Sequence, residues 1–201
     1  MKDNQALEAD TRSAVLREAA ALFAAHGYDA VSVREIVAAA GVTKPALYYH
    51  FGNKEGVARA LLADFMQGAT VMRQGVFGKA EGVRELFELY TREMLALAVQ
   101  FKDTLAFAFS LWFGRSSLKE LIKHAEEYDN CVTEEWKQQL VKRGMGERQS
   151  DLAIKAYWAL LMQELLKTVQ CPEFTGCAYS LADEMATLVL NGVAGFEGTD
   201  A

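Results

Sequence analysis

The sequence predicts an all-α protein, with an N-terminal three-helix, helix-turn-helix head followed by a C-terminal helical bundle. Three observations lead there. Apolar residues recur every three or four positions along most of the chain, and no two-residue alternation of the strand type persists anywhere. Only two prolines, Pro45 and Pro172, interrupt 201 residues, so long helices are possible. Apolar residues make up 51% and charged residues 24%, a globular mixture; at this length folding buries roughly 70% of the unfolded chain's surface, enough for a core without staples.

In chain order, Thr11 is placed to cap a first helix with the stripe Val15, Ala19, Leu22 and Phe23, ended by Gly27. Ser32 and Glu35 have capping-box spacing and open a short second helix, Val33 to Ala40. Gly41-Val42 turns the chain, and Thr43 caps a third short helix running to about His50. Asn53 caps a fourth, about residues 54–72, with Val57, Leu61, Phe65 and Ala69 on one face. Gly75-Val76-Phe77-Gly78 reads as a loop. Beyond it come Val83, Phe87, Tyr90, Met94, Leu97 and Phe101 as one stripe; a segment from Thr104 to Gly114 that is apolar nearly all round; and a long stripe Leu118, Ile122, Ala125, Val132, Trp136 and Leu140, interrupted by Asp129. Leu152 to Val169 is apolar on more than one face and is stopped by Pro172; Tyr179 to Val193 forms the last helix. Spare apolar faces on these last two helices predict a homodimer built on them.

Charge divides the chain. Residues 1–62 carry seven Lys/Arg and seven Asp/Glu, whereas residues 63–201 carry fourteen and twenty and hold the whole net charge of −6. A neutral head on an acidic body is compatible with phosphate contact, because salt screening makes that contact local. The longest charge-free run, Met185 to Phe196, is well short of the roughly 20 residues of a membrane span, so no membrane partner is expected. No apolar segment follows Met1, and Cys131, Cys171 and Cys177 cannot all pair and lack CxxC spacing. Buried free thiols in a reducing, cytoplasmic setting are the expectation.

Two short helices joined by a glycine turn and set against a longer one have the form of a helix-turn-helix. Val33, Ile36 and Val37 give the second helix an apolar edge, and Val42 and Leu47 close the small core. The third helix then exposes Lys44, Ala46, Tyr48, Tyr49 and His50, while its N-terminal N–H groups and the Thr43 hydroxyl suit a phosphate. Lys54 opposes the dipole at the start of the fourth helix, which favours a phosphate partner for it. On spacing alone, DNA binding and a plain structural hairpin both remain open.

The residues also carry a resemblance. Ala20-x-x-Phe23-x-x-x-Gly27-Tyr28, Ser32-Val33-Arg34-Glu35-Ile36, Ala40-Gly41-Val42 and Leu47-Tyr48-Tyr49-His50-Phe51-x-x-Lys54-Glu55 together resemble the tetracycline-repressor (TetR) family signature, over about residues 11–62. The resemblance implies a homodimeric regulator that binds palindromic double-stranded DNA, usually a repressor released by a small lipophilic effector. It implies a DNA-binding domain over 1–55, joined through the fourth helix to an effector-binding and dimerisation domain over 56–201. By position, Lys44, Pro45 and Ala46 would face the bases, Tyr48, Tyr49 and His50 the phosphates or groove walls, Lys54 the backbone, and Arg34 a phosphate or base. Many members have glycine where this chain has Pro45, which removes one amide from possible DNA contact.

The effector pocket is expected among Met94, Phe107, Trp112, Tyr128, Trp158, Met162 and Gln163, where apolar and aromatic groups enclose a few polar ones. Phe109, Phe113, Tyr90 and Glu164 belong to the same pattern, whose alternatives are ordinary core for the aromatics and an interface hydrogen bond for Gln163 and Glu164. Glu120, His124 and Glu127 share a helical surface, but the flanking Lys119, Lys123 and Glu126 favour a salt-bridged face over a metal site. No GxSxG, HExxH, P-loop or dinucleotide pattern occurs, so neither an enzyme nor a cofactor is expected. The alternative function is an all-α ligand-binding or interaction protein that binds no operator.

Overall fold

The computed structural model describes residues 2–113, 117–170 and 178–196; Gly114, Cys171, Pro172 and Cys177 lie outside them. The described residues form nine α-helices and one short 3-10 turn, with no strand. These are α1 (Lys2–His26), α2 (Val33–Ala40), α3 (Lys44–Phe51), α4 (Lys54–Lys79), α5 (Val83–Gln100), α6 (Lys102–Phe113), α7 (Lys119–Lys142), α8 (Glu147–Gln170) and α9 (Ala178–Val193), with the 3-10 turn at Ala194–Phe196. No single helix among the described residues is long and apolar enough to cross a membrane.

Two helix boundaries differ most from expectation. α1 begins at Lys2 rather than at a Thr11 cap, since Gln5-Ala6-Leu7-Glu8-Ala9 are good helix formers that nothing interrupts. α4 does not stop at 72 but runs through Gly75 and Gly78 to Lys79. Val76 is buried there, and the Phe77 ring packs edge-on against Trp136 at 5.7 Å, so tertiary contact outweighs the low helix propensity of glycine.

The chain forms two compact units, each drawn from two separate stretches of sequence. The first comprises Met1–Gln67 together with Phe101–Lys123. Its core joins Val15, Ala19 and Phe23 of α1 to Ile36 of α2, Leu47 of α3 and Val57 and Leu61 of α4, and it takes Phe107 and Leu111 from α6. Phe107 is fully buried, 5.0 Å from the Phe23 ring and 6.4 Å from the Tyr28 ring. Arg12 of α1 makes a two-pronged pair with Asp64 of α4, at 2.9 and 3.0 Å.

The second unit comprises Gly68–Gln100 and His124–Ala201. Within it α5, α8 and α9 pack on one another, around a stack of Phe87, Tyr90, Trp136 and Tyr157 whose rings lie 4.7–6.2 Å apart. Thr91 and Tyr157 hydroxyls meet at 2.8 Å inside this core, so neither buried oxygen is left unpaired. Arg143, just past α7, fastens the end of α4: its Nη2 donates to the Phe77 and Ala80 carbonyls at 2.9 and 2.8 Å. Cys131, expected to be buried, is exposed on α7.

Candidate DNA-binding interface

Each turn of the helix-turn-helix is set by its own sequence. Glu35 N–H donates to the Ser32 hydroxyl oxygen at 3.3 Å, and Glu35 Oε2 accepts from the Ser32 N–H at 2.7 Å, which completes the capping box of α2. The hydrogen bonds from the Ser32 side chain and backbone hold the Glu35 carboxyl below its ordinary range. Gly41 ends α2 in the left-handed region at φ 65, where a side chain would be strained, and Val42 N–H bonds back to Val37 O at 3.0 Å.

α3 then starts on Thr43, whose Oγ1 accepts from Ala46 N–H at 3.3 Å, with Pro45 in the first turn. The Thr43 oxygen is therefore engaged as a cap, and its O–H remains able to donate to a phosphate. Leu47 is fully buried and fixes the roll of the helix. That roll turns Thr43, Lys44, Pro45, Tyr48 and Tyr49 outward, with Tyr48 48% and Tyr49 76% exposed. Two adjacent tyrosines in water are unusual for a chain with no use for them. Ala46 and His50 are half-buried, and the His50 ring meets Tyr49 edge-on at 5.1 Å. Arg34 is exposed on α2.

Gly56 holds the junction between α3 and α4. A Cβ there would lie 1.8 Å from the Phe51 carbonyl oxygen, so only glycine permits the approach, and the Gly56 N–H itself donates to the Asn53 cap at 2.8 Å.

Lys54 has partners within the chain that its position in the sequence did not reveal. Its ammonium donates to the Tyr28 and Val31 carbonyls at 2.9 and 2.8 Å and lies 4.1 Å over the Tyr28 ring. The cation that α4's dipole disfavours is thus held by the loop between α1 and α2, with its third N–H left for a further acceptor such as a phosphate.

The seven residues expected to line an effector pocket are not gathered in one unit. Phe107 and Trp112 belong to the first, and Phe107 is sealed into the core of the head. Met94, Tyr128, Trp158, Met162 and Gln163 belong to the second. Met94 is buried, Tyr128, Trp158 and Met162 are half-buried, and Gln163 is exposed. The inward polar group of α8 is its neighbour Glu164, 7% exposed, whose Oε1 accepts from Lys167 at 2.6 Å while Oε2 is buried without a partner. Sequence reading missed Arg73, a buried cation on α4, because it ended that helix at 72. Glu120, His124 and Glu127 are exposed on α7, and among the described residues no three His, Cys, Asp or Glu side chains gather as metal ligands.

Residues 15–61, the helix-turn-helix and its supports, match the family model described as bacterial regulatory proteins, tetR family. The same stretch is similar to curated transcriptional repressors. Identity is 49% over 51 residues with ComR of Escherichia coli, covering 25% of this chain and 24% of that protein. It is 38% over 64 residues with KstR2 of Mycolicibacterium smegmatis, covering 32% and 31%. These alignments therefore span under a third of either relative. The fold matches over most of the chain. A TetR family regulator, PfmR of Thermus thermophilus, superposes with a TM-score of 0.70 at 20% identity, covering 88% of this chain and 97% of that one. The ketosteroid transcriptional regulator KstR2 of Mycobacterium tuberculosis gives 0.69 at 18%, covering 90% and 93%. All of these are regulators rather than enzymes. The head thus matches the tetR family of bacterial regulatory proteins over residues 15–61, and the rest of the chain shares the fold of such regulators.

Proposed function

We propose that the chain is a cytoplasmic transcriptional repressor that binds a palindromic double-stranded operator as a homodimer and is released by a small lipophilic effector. The observation that carries the reading is the outward face of α3. Thr43, Lys44, Pro45, Tyr48 and Tyr49 are exposed together at the start and flank of a helix whose opposite side is anchored by Leu47. Such a helix enters a major groove with its first turn toward the bases. Lys44, Pro45 and Ala46 stand for base contacts; Arg34, Thr43, Tyr48, Tyr49 and His50 stand for phosphate and groove contacts. Lys54 supports them by fixing the loop between α1 and α2 to α4.

Dimerisation is assigned to α8 and α9, where Ala156, Ala159 and Leu188 are exposed apolar groups on helices whose other faces are already packed. Two-fold pairing would set two reading helices about 34–36 Å apart, one turn of B-DNA. α4 contributes its first turns to one unit and its last to the other, so an effector bound in the second unit has a continuous helix through which to act on the head. The named curated relatives are repressors, which favours repression as the sign of control.

The test is a mobility shift with the DNA flanking the chain's own gene, run across a salt series. Retardation that exceeds that of an unrelated duplex and weakens with salt is the expected result. No preference for the flanking DNA over the unrelated duplex would remove the reading.

A further inference from the structure

The second unit holds a polar cluster with more donors than acceptors. Arg73 of α4 is 2% exposed. Its Nε donates to Glu135 Oε2 at 2.8 Å and its Nη1 to the Tyr128 hydroxyl at 3.0 Å, and that hydroxyl lies 3.1 Å from Thr70 Oγ1. A guanidinium carries five N–H groups, so three of them, including both on Nη2, meet no acceptor among the described residues. A second donor lies close by. Trp136 is fully buried, and its indole Nε1 has no partner at full hydrogen-bond geometry, its one polar neighbour being the Tyr90 hydroxyl.

The two donors share a neighbourhood. The Trp136 ring packs against Tyr90 at 4.8 Å and against Phe77, one helical turn beyond Arg73, at 5.7 Å. Burial pushes the Tyr90 hydroxyl well above its ordinary range, and the Arg73 charge pulls it back, so that cation acts on the same spot. Apolar groups adjoin it: Met94 is buried on α5, and the Trp158 ring lies 5.8 Å from Tyr90. The carboxylate facing Arg73, Glu135, has a side chain 41% exposed and is thus partly spent on water.

Unmet donors in an apolar setting select a ligand by what they lack. The flat guanidinium fork matches the two oxygens of a carboxylate better than a single neutral acceptor, and its charge favours an anion. Asp129 is an acidic neighbour that opposes an anion, but it is exposed on α7, so water and salt screen that opposition. We propose that Arg73 and Trp136 form the polar end of the effector site, and that the effector is an apolar molecule bearing a carboxylate. This rests on the regulator reading above and adds the chemical class of its ligand.

The experiment titrates the full chain with three probes that carry ten-carbon chains, each below its micelle concentration or solubility limit: decanoate, decanol and decyltrimethylammonium. Tryptophan fluorescence is the readout. Decanoate is expected to bind at least about tenfold more tightly than decanol, as a charge-assisted hydrogen bond implies, and the ammonium more weakly than decanol. Arg73→Gln should abolish the preference for decanoate and leave decanol binding in place. Glu135→Gln, which removes a competing carboxylate while keeping the side-chain shape, should tighten decanoate several-fold; it carries the test if Arg73→Gln does not fold. Equal binding of decanoate and decanol, a preference that survives Arg73→Gln, or a Glu135→Gln chain no tighter for decanoate would each overturn the proposal. A mobility shift without any probe is read beside it. DNA binding with no decanoate preference sinks the carboxylate site alone, whereas decanoate preference with no DNA binding sinks the regulator reading alone.

Discussion

Lys54 and Lys44 lie ten positions apart in the head, and their surroundings give them opposite jobs. Lys54 is tied to two carbonyls and an aromatic face, whereas Lys44 stands exposed at the first turn of α3. Lys54→Met should lower the stability of the head by about 2–3 kcal/mol in urea denaturation, because two carbonyls lose a charged donor. Lys44→Ala should leave stability within about 0.5 kcal/mol and relax base preference at one position per half-site by about 1–3 kcal/mol. A Lys54→Met chain that keeps its stability and loses about one unit of salt slope would return Lys54 to the phosphate backbone. Glu35 gives a pH test. Its folded-state pKa is depressed by the hydrogen bonds from Ser32, so its contribution is present above the unfolded carboxylate pKa and is lost as pH falls through the lower folded value. Between about pH 5 and about pH 2, Glu35→Gln should show a shallower loss of helix content than the parent chain by circular dichroism. Ser32, Glu35, Gly41 and Thr43 were legible in the sequence because each bonds within five positions of itself. Lys54 was not, because its partners lie 23 and 26 positions away.

At the scale of elements, α4 shows where local propensity yields. Its last two turns contain Gly75 and Gly78, and short-range rules end the helix before them. Burial of Val76, the Phe77–Trp136 contact and the Arg143 hydrogen bonds to the carbonyls of Phe77 and Ala80 continue it. A Cβ at either glycine would meet nothing within 4 Å, and neither has the positive φ that disfavours a side chain. Gly75→Ala and Gly78→Ala should therefore each raise stability by about 0.5–1 kcal/mol, read as a shift in the urea midpoint at constant slope. Unchanged or lowered midpoints would mean that the segment is not helical in solution. The short elements α2 and α3 needed no such help, since each begins and ends on a residue whose own side chain or backbone supplies the cap.

For the whole molecule, the consequential surface is on α9, where Leu188 is 63% exposed on a helix otherwise packed through Ala182, Met185, Ala186 and Val189. Leu188→Glu costs the isolated chain little, because water already reaches the position. In a dimer built on α8 and α9 it would bury a charge against an apolar partner face. Sedimentation of the parent chain at micromolar concentration should show a dimer, and Leu188→Glu should shift it toward monomer and weaken operator binding. A parent chain that sediments as a monomer would remove the interface.

The sequence by itself determined the helical class, the positions of α2 and α3, the exposure of Lys44, Tyr48 and Tyr49 on α3 and the family likeness of the head. Those features rest on periodicity, caps and glycine turns, which operate over a few residues. Tertiary structure alone decided that α6 joins the head through Phe107, that α4 extends to Lys79, and that Arg73 is enclosed with Tyr128 and Glu135. A helix that is apolar nearly all round can pack against any core it reaches, and periodicity does not say which. A buried charge is likewise invisible until the chain brings its partners, more than fifty positions away, within hydrogen-bond distance.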